Sequence, residues 1–199
     1  FAPVDFTSSD LTSLPGTLTE INALDSLFQS HAKTSLFTYA SATRSILTDD
    51  VINQYTIIHL ATHGLVNETN PELSCIYTSG TTQANDRIYS GNIYNMHLNA
   101  ELVTLSACQT GLGKISKGEG MIGLSRALFY SGADNIMVSL WSVPDISTQL
   151  LMKDFYKNYL DAKTSASFHQ ASRAAKLQLI QSELYSSPYY WGAFVLIGE

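Results

Sequence analysis

The chain has 199 residues, 45% of them apolar and 14% charged, and a net charge of -6. That length fits one domain with a substantial core, on a prior of roughly 100 to 200 residues per domain, and the apolar share describes a packed globular protein. An acidic balance without a Lys/Arg cluster, no run of about 18 apolar residues and no basic-then-apolar start leave no reason to expect direct nucleic-acid binding, a membrane span or a signal peptide.

The chain starts at Phe1. Without an initiating methionine, it is expected to be one domain, residues 1–199, excised or processed from a longer protein. Thr17-Leu18-Thr19-Glu20 has the form of a capping box, and Ile21, Leu24, Leu27 and Phe28 follow at helical spacing, which predicts a helix over 17–30. A short strand over 35–40 and a helix over 42–53, with Ile46 and Val51 on its apolar side, come next. Tyr55-Thr56-Ile57-Ile58-His59-Leu60-Ala61-Thr62-His63-Gly64 then reads as an apolar strand ending in an ionisable side chain before glycine.

Residues 65–91 are rich in Asn, Thr, Ser and Gly and read as a loop-dominated excursion in which only 73–78 has strand character. A short helix over 91–98 precedes Leu102-Val103-Thr104-Leu105-Ser106-Ala107-Cys108-Gln109-Thr110-Gly111, a second apolar strand that ends in a thiol before glycine. The glycine-punctuated loop 111–120 leads to a helix on Met121, Leu124, Ala127 and Leu128, closed by Gly132. A β-rich run over 135–141, helices over 147–160 and 166–181, and an apolar run over 191–197, with Trp191 in its core, complete the reading. Helices alternating with nearly continuous apolar strands predict an α/β fold with a parallel or mixed sheet covered on both faces.

Two strands of the same form, side by side and parallel, bring His63 and Cys108 together at their carboxyl ends, where open α/β sheets carry their sites. A cysteine beside a histidine reads as a hydrolytic dyad, the thiolate attacking and the imidazole exchanging protons. Gly64 keeps side-chain bulk away from the reacting carbonyl. His59, four residues before His63 and so on the same strand face, is expected to be a hydrogen-bonded interior histidine. Cys75, in Leu73-Ser74-Cys75-Ile76-Tyr77, reads as a buried small hydrophobe. With only these two cysteines and no secretory signal, reduced thiols and a cytoplasmic setting are expected. No zinc-ligand spacing and no phosphate-loop pattern is present. Glu119, at a helix start, is assigned a structural role.

Five motifs in order, His63-Gly64, Ser106-Ala107-Cys108-Gln109-Thr110-Gly111, Gly118-Glu119-Gly120, Ser139-Leu140-Trp141-Ser142-Val143-Pro144-Asp145 and Pro188-Tyr189-Tyr190-Trp191-Gly192-Ala193-Phe194, resemble the CHAT family of caspase-like cysteine peptidases, over about Leu14 to Glu199. The resemblance implies a caspase-like sandwich, with a mostly parallel central sheet and helices on both faces. It implies peptide-bond hydrolysis through a Cys108 thioester, with His63 as acid and base, the backbone N–H groups of Gly64 and Cys108 as oxyanion hole, and no cofactor. In separase, a relative, a comparable Leu-Trp-x-Val-x-Asp stretch shapes the pocket for the residue before the cut. Carried over, Asp145 and Trp141 are candidate substrate-binding residues, and Asp145 favours Arg or Lys; a plain helix-capping role for Asp145 stays open. CHAT domains often follow helical-repeat or sensor regions in bacterial proteins, which implies a regulatory region or partner beside the protein or peptide substrate. Two alternatives also stay open, a silent interaction module with the same fold and a cysteine amidohydrolase acting on a small amide.

Overall fold

The computed structural model describes residues 1–7, 9–67, 69–82, 84–109, 119–161 and 167–198, without the side chains of 107–109 and 119–122. Among the described residues, six strands form one sheet in the order β3-β2-β1-β4-β5-β6. They are β1 (Ile57–Leu65), β2 (Cys75–Tyr77), β3 (Arg87–Tyr89), β4 (Leu102–Gln109), β5 (Asn135–Ser139) and β6 (Phe194–Gly198). β4 runs parallel to both β1 and β5, whereas β2, β3 and β6 join antiparallel at the flanks. The centre of the sheet is therefore parallel, as expected for strands whose apolar runs are buried on both faces.

Pleat alternation divides the core in two. Ile58, Leu60, Val103, Leu105, Ile136 and Val138 point to a layer shared with Leu124, Ala127 and Leu128 of α4 (Glu119–Tyr130). Leu102 and Met137 point the other way, into a layer with Leu24 of α1 (Pro15–Phe28), Leu151, Met152 and Phe155 of α5 (Asp145–Leu160) and Ala171 and Ala175 of α6 (Phe168–Gln181). Both faces of the sheet are thus covered.

The departures from the sequence reading have local causes. α1 starts two residues earlier than the predicted 17–30, with Pro15 in its first turn, where proline's missing N–H costs nothing. Thr17 and Glu20 form no capping box: the Thr17 hydroxyl donates to the Leu14 carbonyl and Glu20 is drawn into the interior. The single helix expected over 42–53 is α2 (Arg44–Thr48) followed by a separate 3-10 turn, Asp50–Gln54, with extended backbone at Asp49 between them. Thr48-Asp49-Asp50 places three poor helix formers at the break.

The predicted strand over 35–40 reduces to one bridge, Thr38 to Ala2, before a 3-10 turn at Tyr39–Ser41. Within 65–91, β2 lies inside the predicted 73–78, but β3 was not anticipated, because three residues are too few to display a period. α3 is a single turn, Ser90–Ile93. Trp191 is not in the last strand: it belongs to a short helix α7 (Pro188–Trp191), half-buried against the second core layer. The predicted loop 111–120 falls largely on 110–118, outside the described residues, as does the start of the helix predicted from 166.

Candidate active site

β1 and β4 pair in register from Ile57 with Leu102 to Gly64 with Gln109, and within that ladder His63 stands opposite Cys108. In a parallel pair the backbones of such partners lie about 4.8 Å apart. His63 stands on the face of β1 that carries α1 and α5, since His59 of the same parity bonds to Glu20 and Tyr156 there. Gly64, the next residue, is buried between Gln109 on β4 and Ile76 on β2.

The surroundings of His63 define its protonation. Its side chain is 2% exposed and its Nε2 lies 2.8 Å from the Thr12 carbonyl. A carbonyl can only accept, so Nε2 carries the proton, and in the neutral ring Nδ1 is left as the lone-pair nitrogen. Nδ1 is buried and has no hydrogen-bond partner among the described residues. The ring of Phe6 packs against the imidazole at a centroid distance of 4.6 Å, tilted by 53°. Burial lowers the His63 pKa from its usual value, with the Thr12 carbonyl and the charge of Asp145 pulling the other way. The outcome is a histidine held neutral, with one nitrogen committed and the other available as a base.

Asp145 opens α5 rather than preceding it, and it is solvent-exposed. Its carboxylate lies against Gly16 at the start of α1, so closely that a methyl group on Gly16 would overlap it. Its charge acts on His63, favouring the protonated imidazole. Trp141 is 37% exposed, and its indole N–H donates to the Tyr189 carbonyl at 3.0 Å. The Tyr189 hydroxyl donates to the Ser142 carbonyl at 2.9 Å, which ties the segment between β5 and α5 to α7.

His59 has no such vacancy. Its Nε2 is 2.8 Å from the Glu20 carboxylate and its Nδ1 is 3.1 Å from the Tyr156 hydroxyl, which also meets the Thr104 hydroxyl at 2.8 Å. The network joins α1, β1, β4 and α5 below the site, which matches the interior role read for His59. A cleft of about 200 Å³ between α1 and the amino end of β1 reaches His59 and Tyr156. It lies at the opposite end of the strand from His63. Cys75 is fully buried, and burial pushes its thiol up to about 11, as befits a packing residue.

Sequence reading missed Thr12, Phe6 and Glu20. A carbonyl oxygen has no sequence signature, and Thr12 lies 51 residues before His63. Glu20 had a signal, since it is a carboxylate within the apolar-periodic helix, but the capping-box pattern absorbed it.

A sheet with a parallel centre and antiparallel flanks, helices on both faces and a His-Gly strand end paired to a cysteine-bearing strand defines a caspase-like α/β protein. A family profile described as CHAT domain matches residues 3–199, and the chain belongs to that family, a caspase-like, protease-related group. Tetratricopeptide repeat protein 28 of Mus musculus is 31% identical over 111 residues, which is 55% of this chain and 4% of that protein. The Homo sapiens protein of the same name gives the same identity and coverage. The chain thus spans only a small fraction of the length of these relatives. No described helix is long and apolar enough to cross a membrane.

Proposed function

We propose that the chain is a cysteine endopeptidase domain that cleaves protein substrates through a Cys108–His63 dyad. The observation that carries this reading is the register of the two strands, which sets the cysteine and the histidine opposite each other, while one His63 nitrogen has no hydrogen-bond partner among the described residues. Cys108 transfers its thiol proton to His63 Nδ1 and attacks the scissile carbonyl; the imidazolium then protonates the departing amine, and water hydrolyses the thioester. The backbone N–H groups of Gly64 and Cys108 receive the oxyanion. Thr12 serves as the third participant by orienting the ring through its carbonyl, a part taken by a carboxylate in other hydrolases.

Asp145 lines the pocket for the residue before the cut, with Trp141 as its wall, and selects Arg or Lys. Its exposure and its electrostatic reach to His63 support this reading over a simple cap. The chain acts as a single domain in a reducing, cytoplasmic compartment and needs no cofactor. An upstream region or partner protein raises its activity, a reading supported by the tetratricopeptide repeats in the names of its relatives.

Mass mapping after brief iodoacetamide treatment, together with a peptide-library cleavage profile, tests the reading. Cys108 should alkylate about tenfold or more faster than Cys75, and cleavage should follow Arg or Lys. Equal labelling with no cleavage, with or without the upstream region, would leave a silent interaction module instead.

A further inference from the structure

Val4 has a φ of +63°. A β-branched residue is rarely found there, because its side chain crowds the backbone in the left-handed region. The Asp5 N–H donates across it to the Pro3 carbonyl at 2.7 Å, which makes a γ-turn of the rare, strained hand. Such strain persists only where the surroundings over-determine it, and it gathers at functional sites.

The surroundings of Val4 lead to His63. Val4 is buried with Ala2, Ile21 and Ala61, and Ala61 stands two residues before His63 on the same face of β1. The Val4 carbonyl accepts from the Leu14 N–H at 2.8 Å, which closes the excursion 4–14 at its base, immediately before α1. Both groups that grip the His63 ring stand inside that closed excursion: the Phe6 ring, two residues after the turn, and the Thr12 carbonyl, two residues before the closing bond.

We propose that Val4 is a positioning residue for His63: its strained turn aims the excursion so that Thr12 and Phe6 fix the imidazole with Nε2 protonated and Nδ1 as the lone-pair nitrogen. A relaxed turn at Val4 would send Asp5 and Phe6 in a different direction and pull the Leu14 anchor from its acceptor. The catalytic consequence rests on His63 being the base; the geometric consequence does not.

The test is a matched pair in the full chain, Val4→Gly and Val4→Pro. Each removes the isopropyl group, but glycine adopts positive φ freely whereas proline is held near -65°. Nitrogen-15 NMR of the His63 ring reports tautomer and titration midpoint, and peptide cleavage reports kcat and KM. Val4→Gly should keep the Nε2–H tautomer and the depressed midpoint. Val4→Pro should give mixed tautomers, a midpoint moved up toward the usual value as the ring loses its cover, and a kcat lower by about tenfold or more at similar KM.

Should Val4→Pro not fold, Asp5→Pro takes its place, because it removes the N–H of the turn and disfavours the Val4 conformation while altering only an exposed side chain. A proline variant that folds with the wild-type tautomer and midpoint would overturn the proposal, as would equal loss in the glycine and proline variants, which would assign the effect to packing. The tautomer judges the turn and the cleavage rate judges the catalytic reading, so the failure of either is seen separately.

Discussion

His59 and His63 stand four residues apart on one strand and one face, yet the fold treats them in opposite ways. His59 has both ring nitrogens engaged, by a carboxylate and a phenol, so its orientation is locked and no lone pair is left to work. His63 has one nitrogen engaged by a backbone carbonyl and the other buried without a hydrogen-bond partner among the described residues. A buried polar atom left bare costs stability, and sites of chemistry are where proteins tolerate that cost. On the reading proposed above, the same side chain serves as scaffold at one position and as reagent at the other, according to what meets its second nitrogen.

The sharpest break of the comparison is in peptide cleavage. His63→Ala or Cys108→Ala should lower kcat by about a thousandfold or more with the fold retained, since removing either half of a nucleophile and base pair loses most of what both supply. Glu20→Ala should do the reverse, costing about 3 kcal/mol of unfolding free energy in denaturant titrations because it strands a buried His59 nitrogen, with the kcat of the folded fraction little changed. A Glu20 variant as inactive as the His63 one, at full stability, would erase the distinction between the two histidines.

A smaller effect is expected at the rim. Asp145→Asn should lower kcat/KM for Arg and Lys substrates by about tenfold while leaving apolar substrates and the melting temperature nearly unchanged. A cap would behave otherwise, costing about 1 kcal/mol of stability without altering selectivity. The smallest effect concerns pH. The His63 pKa lies below its unfolded value of 6.5. The unfolded chain therefore binds the extra proton first, and the His63 contribution is present above pH 6.5 and lost as pH falls through the folded value. Stability measured across that window should decline less in His63→Gln than in the unmutated protein, and an identical decline would mean that His63 is not held neutral.

Much of this molecule is legible in the sequence because it rests on pattern. The apolar runs before His63 and Cys108 specify two buried strands, and their matching ends, ionisable residue and then glycine, specify one level in a parallel sheet. The register from Ile57 with Leu102 to Gly64 with Gln109 agrees with that reading. Even spacing put His59 in the interior, and an apolar setting did the same for Cys75. The short elements were less legible: a three-residue strand at Arg87–Tyr89 and a helix broken at Asp49 are too brief for periodicity to resolve.

What only the tertiary structure decided is who meets whom across long stretches of chain. The Thr12 carbonyl that sets the His63 tautomer is a backbone atom that any residue could supply, and the Glu20 carboxylate that occupies His59 arrives from a helix 39 positions away. The positive φ at Val4 contradicts the local preference of its side chain, so nothing in the sequence near it announces the turn. Hydrophobic pattern dictates which faces are buried, because burial depends on composition along the chain. The assignment of a proton to one nitrogen depends on a single acceptor at 2.8 Å, and only the packed fold fixes that distance.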